Sequence, residues 1–320
     1  MNDPLIWVRA IHFGATMMVM GDVFFRAFIG EPAFRAANSA CFGARVRSPL
    51  AAMAWFGLAV TVLSGAAWLV LQAERMSELS LAEVFSQGAV WTVLSETDFG
   101  IDWGVRFALA GLLAAIWVWG DVSLSYHRRA GAVAVAASLV GTLAWAGHAA
   151  ASSGTEGAVH LTADILHLVA AAAWFGSLIP LALLLRAARH LPEAGSVAAA
   201  REAVLRFSSL GVVSVGTLVA TGVVNTWVLA GSVPALVATD YGHLLGVKVG
   251  LFFVMLSFGA TNRLWLTPRL VHAPSSAAAA QALHSIERNS LIEAVLGTII
   301  IVIVGLLGTM APGLQDVAID

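Results

Sequence analysis

Apolar residues run through this chain in long unbroken stretches separated by short polar segments. About 20 consecutive apolar residues in a helix cross about 30 Å of hydrocarbon. On that rule eight helices are predicted, at roughly residues 4–28, 49–73, 101–125, 130–149, 158–185, 205–230, 241–266 and 289–311. The implied fold class is an all-α polytopic membrane protein with about eight transmembrane helices. The first stretch lacks a basic leader and continues past Arg9 and His12, so it reads as a retained first helix rather than a cleaved signal.

The polar positions orient the bundle. Arg26, Arg35, Arg45 and Arg47, then Arg128 and Arg129, then Arg186, Arg189, Arg201 and Arg206, then Arg263, Arg269 and Arg288 fall in or beside alternate connections. Positively charged loops stay in the cytoplasm, which places both termini outside. The longest opposite connection, 74–102, carries six acidic residues against Arg75 alone and suits a short interfacial helix around Trp91.

A four-helix repeat is also visible. Ile11–Phe25 lies on Leu166–Pro180, matching His12 to His167 and Gly21 to Gly176. TDFGIDWGVR at 97–106 lies on TDYGHLLGVK at 239–248, matching Arg106 to Lys248. Ser64-Gly65 echoes Thr221-Gly222. The fourth and eighth helices match poorly. The reading is a 4+4 parallel repeat, 1–150 and 151–320, which places a functional site near the interface of the halves.

Composition agrees with the pattern: 59% of residues are hydrophobic and 11% charged, at a net charge of -2. Soluble domains carry about 25% charge. Nothing points to nucleic acid or to a phosphate-binding loop, and a single cysteine, Cys41, excludes a disulfide framework or a Cys-x-x-Cys metal site.

Chemistry concentrates in HLTADILHLVAAAAWFGSLIP, residues 160–180. His160, Asp164 and His167 fall at i, i+4 and i+7, on one helical face. A charge deep in a bilayer costs about 2.5–3.5 kcal/mol on insertion scales, so such residues face a partner, a cavity or the bundle interior. His12 and His148 lie at the same side of the membrane. These five, His12, His148, His160, Asp164 and His167, are the candidate metal ligands, a set of imidazoles and a carboxylate that suits copper, zinc or iron. Met17 and Met310 are candidate thioether donors. Arg106 and Lys248 either snorkel to headgroups or face the bundle and pair with an aspartate. Glu293 meets Arg263 or Asn262, or serves as an inner station for an ion. Any one of these histidines also suits a hydrogen-bonded packing role.

The segments HLVAAAAWFGSLIPL, LVATGVVNTWVLAG, TDYGHLLGVKVGLFFVMLSFGATNR and RNSLIEAVLGTIIIVIVGLLGTMAPG resemble the C-terminal half of the CopD family of bacterial inner-membrane copper-resistance proteins. His167 with Trp174 and Gly176 is the clearest residue-level match. The resemblance implies a non-enzymatic protein of the bacterial inner membrane, its outer termini therefore periplasmic, that moves copper towards the cytoplasm, served by a separate periplasmic carrier of the CopC type. Two other functions fit the residues: a membrane redox protein holding haem b between His12 and His167, and a receptor that docks a copper carrier without transport.

Overall fold

The computed structural model describes residues 3–119, 126–146, 154–190, 195–230 and 237–310. Its described residues contain eight helices long and apolar enough to cross a membrane. They are α1 (Pro4–Ala36), α2 (Ala40–Ser77), α3 (Asp98–Val118), α4 (Tyr126–Ala146), α5 (Gly154–His190), α6 (Ser196–Leu229), α7 (Asp240–Val271) and α8 (Ser276–Leu307). Between α2 and α3 the chain forms two short helices, Leu81–Ser86 and Ala89–Glu96, and Trp91 stands exposed on the second.

Several helices extend well beyond the hydropathic stretches, always at the arginine-rich end. Helix α2 starts at Ala40 rather than near 49, and α8 at Ser276 rather than near 289. Hydropathy registers only the turns that meet lipid, whereas Arg-bearing turns continue the helix into the polar layer. There they are tied by ion pairs: Arg47 grips buried Glu31 with two bonds of 2.6 and 2.9 Å, and Arg189 pairs with Glu287.

Helix starts follow local rules. Asp3 caps α1 by accepting from the Leu5 N–H at 2.9 Å, with Pro4 behind it in the first turn. Burial pushes the Asp3 carboxyl up, but its 2.5 Å pair with Arg75 and the Leu5 bond outweigh that and hold it below its ordinary value. Thr97 and Thr239 cap α3 and α7 identically, each accepting from a glycine N–H three residues on.

Prolines interrupt three spans. Pro180 has no N–H to give the Gly176 carbonyl, and α5 breaks at Gly176–Ser177. Helices α1 and α7 each widen into a π-helical turn, Arg26–Gly30 and Asn262–Leu266, just before Pro32 and Pro268.

Helices α1 and α5 form the centre, with 72% of each apolar window buried, against 17% for α6 and 11% for α7. They cross at Gly21 and Gly176, where a Cβ on Gly21 would lie 2.1 Å from the Gly176 carbonyl carbon. The Ser177 hydroxyl donates to the Gly21 carbonyl at 3.0 Å across the same crossing. Around this axis α2 and α4 pack on α1, α6 packs on α5, and α8 touches α1, α5 and α7. The exposed side chains of Trp55, Phe56, Trp119, Phe253 and Trp265 belong to the outward apolar surface that a bilayer covers.

Candidate functional site

Two histidines occupy matching settings. In the first half, His12 Nδ1 lies 3.1 Å from the Thr61 carbonyl and 3.1 Å from Ser64 Oγ, both on α2. A carbonyl only accepts, so Nδ1 carries the proton and Nε2 is left bare. In the second half, His167 Nδ1 lies 2.9 Å from Thr221 Oγ1 on α6. The Thr221 hydroxyl spends its own proton on the Thr217 carbonyl at 2.7 Å. It therefore accepts from His167, fixing the same tautomer and leaving Nε2 free to bind. Gly65 and Gly222 both leave space beside the ring, with His12 Cε1 3.3 Å and His167 Cε1 3.7 Å from where a Cβ would stand.

The surroundings of the two rings differ. His12 is 1% exposed and boxed by Trp68 and Trp103, at ring separations of 5.7 and 5.0 Å. Arg9 lies 4.7 Å over Trp68 and Arg106 4.5 Å over Trp103. Arg106 is held by Asp102 at 2.6 Å and by the Thr142 carbonyl at 2.7 Å, so it faces the bundle rather than the headgroups. Arg9 donates to the Ala146 carbonyl at 3.3 Å and lies where Gly308 would carry a side chain. His12 Nε2 has no hydrogen-bond partner. Two guanidiniums and a closed wall of indoles make this pocket hostile to an entering cation.

The second cluster is less enclosed. His167, Asp164, Asn225 and Lys248 are all only partly buried. Asp164 accepts from Asn225 Nδ2 at 3.1 Å. Lys248 is within electrostatic reach of both Asp164 and His167, and Tyr241 of Asp164. Aligning Ser64 with Thr221 and His12 with His167 puts Trp68 opposite Asn225 and Arg9 opposite Asp164. An arginine stacked on an indole in one half thus corresponds to a carboxylate bonded to an amide in the other.

The expected five-ligand convergence is not assembled among the described residues. There, no three His, Cys, Asp or Glu side chains form a group able to hold one metal ion. His12 is turned to α2 and His167 to α6, because their hydroxyl partners are there. His148 lies outside the described residues. His160 is buried seven residues before His167, about 10 Å along α5. Met17 is buried in the first-half core, and Met310 packs against Tyr241, Leu245, Ile303 and Leu307. Glu293 accepts from Asn262 Nδ2 at 2.9 Å, while Arg263 turns instead to Ser208. His243 is exposed at the start of α7 and bonded to the Val237 carbonyl at 3.0 Å. Sequence reasoning passed over Thr221 and Asn225 as site residues. The signal for Thr221 was present in the matched hydroxyl-glycine pairs.

Two family models match the chain: "Copper resistance protein D" over residues 201–307, and "Copper resistance protein D-like, N-terminal domain" over residues 1–158. The chain is 31% identical to Copper resistance protein D of Pseudomonas syringae pv. tomato, over 98% of this chain and 99% of that protein. It is 29% identical to Inner membrane protein YebZ of Escherichia coli, over 96% and 98%. It is 30% identical to Copper transport protein CutJ of Bacillus subtilis, over 79% of this chain and 45% of that longer protein. No solved structure matches.

Proposed function

We propose that this chain, which belongs to the copper resistance protein D family, carries copper across the bacterial inner membrane towards the cytoplasm, using His167 and Asp164 as its capture point. The observation that carries the reading is the partly exposed cluster in which a tautomer-fixed imidazole and a carboxylate stand three residues apart on α5. A bare Nε2 with an anionic oxygen suits a copper ion, and no thiolate is present to trap it. Lys248 supplies the positive charge that Asp164 needs before an ion arrives, and the ion takes that role on entry. The sealed His12 pocket is a structural counterpart of this site. The identical threonine caps and the matched histidine-hydroxyl pairs support two related halves.

With the arginine-rich end in the cytoplasm, a cation moving inward gains about 2.3 kcal/mol per charge per 100 mV, so the membrane potential suffices to drive it. The name of the Bacillus relative supports transport, and that of the Escherichia relative supports the inner membrane. A periplasmic carrier of the CopC type would deliver the ion. The haem alternative gains nothing from the geometry, since each histidine is enclosed by helices of its own half.

Cytoplasmic copper, measured by elemental mass spectrometry with and without expression, tests the proposal. Wild-type protein raises it, and Asp164→Asn, which keeps the shape but not the charge, cuts the increment about tenfold. Unchanged cytoplasmic copper with copper bound at the outer face would make the protein a receptor instead. Thr221→Val is a finer test: losing the acceptor that orients His167 should weaken copper binding about 10–100-fold without unfolding the protein.

A further inference from the structure

Helix α8 carries, close to its middle, a carboxyl that the copper pathway does not use. Glu293 is completely buried, about 20 Å along the helix from Leu307. Oε1 accepts from the Asn262 amide at 2.9 Å, and Asn262 in turn accepts from Asn289 at 2.9 Å. Oε2 is buried without any hydrogen-bond partner, as is the hydroxyl of Ser290 one turn earlier on α8.

The groups facing Glu293 are neutral on every side the structure describes. Helix α7 presents Asn262 and Gly259, whose missing side chain leaves Oε2 3.4 Å from a Cβ position; α5 presents Trp174 to that same spot. Basic residues on the surrounding helices are engaged elsewhere: Arg263 with Ser208, Arg189 with Glu287, and Arg26 with Asp22. Among the described residues Asn262 is the partner of Oε1, and Oε2 has none.

A carboxylate so placed bears the full cost of burying a charge with one amide to offset it, whereas the neutral acid does not. Asn262 opens the π-helical turn Asn262–Leu266, and a resetting of this wide turn would shift α7 beside Oε2.

We infer that Glu293 is a proton-binding site, held as the neutral acid in this conformation and exchanging its proton when α7 shifts on α8 at the π-helical turn. The chemistry is simple: the shift admits water to Oε2, the carboxyl O–H breaks, the proton leaves to that water, and the Asn262 amide on Oε1 steadies the carboxylate left behind. Glu293 thereby supplies a proton that can move against an ion without itself touching that ion. The inference is independent of the copper reading, because its readout involves no metal.

Infrared spectroscopy of the full chain in lipid nanodiscs tests it. Wild type at neutral pH should show a protonated-carboxyl C=O stretch that shifts on transfer to D2O and disappears in Glu293→Gln, an isostere of the neutral acid that should fold normally. Glu293→Asp should move the band rather than remove it, which serves if the glutamine variant does not fold. Loss of ionised-carboxylate bands in Glu293→Gln, or a wild-type band that never shifts in D2O, overturns the inference.

Discussion

Gly176→Val abolishes folded, monodisperse protein, while Gly104→Ala leaves it intact or slightly stabilised. A Cβ on Gly176 would stand 2.2 Å from the Met17 carbonyl oxygen, 2.6 Å from the Ala172 oxygen and 2.9 Å from the Gly21 Cα. All three obstacles are backbone, so no side chain can rotate aside, and α1 and α5 must be pushed apart along the most buried contact in the bundle. Overpacking usually costs about 1–3 kcal/mol, and a clash against rigid backbone on both sides belongs at or beyond the upper end. Close approach of small residues is also what draws membrane helices together, since lipid supplies no hydrophobic force between them. Gly104 faces open space, and replacing it gains up to about 1 kcal/mol of helix propensity. Thermal unfolding in detergent and the yield of monodisperse protein decide the matter; a Gly176→Val protein that melts within a degree or two of wild type would show that the crossing is looser than described.

His167→Ala weakens copper binding at least a hundredfold, whereas His12→Ala removes stability and leaves copper binding largely unchanged. The first result follows from the scarcity of replacements: among the described residues no other imidazole is bonded to α6, and the remaining oxygen ligands hold copper poorly alone. The second follows from the indole box around His12, where removal opens a cavity between Trp68 and Trp103 and frees Ser64. His284→Ala, at the arginine-rich start of α8, is the silent control. Copper titration of purified protein, with X-ray absorption to identify the ligands, separates the three. Equal affinity in the His167→Ala and His284→Ala proteins would remove the capture point.

The eight spans were legible because each needs a run of apolar residues that no soluble helix needs. The arginine-rich extensions of α2, α6 and α8 were not, since beyond the lipid they look like ordinary polar helix. His12, Asp164 and His167 stood out as costly residues in apolar surroundings. How they group was not legible, because axial depth can be read from residue number but the direction of each ring cannot. That direction was set by hydroxyls at 64 and 221, one helix away in space and more than 50 residues away in sequence. Glu293 was visible as an anomaly, but its neutral surroundings depend on how α7 and α8 pack.

The ion pairs that fasten the arginine-rich extensions bear on the route out. Arg47 with Glu31 links the first two spans, and Arg189 with Glu287 links the fifth and eighth, so the helix ends on the arginine-rich side are fastened in pairs. On the transport reading, an ion leaving between either pair of helices would have to part the clamp that joins them.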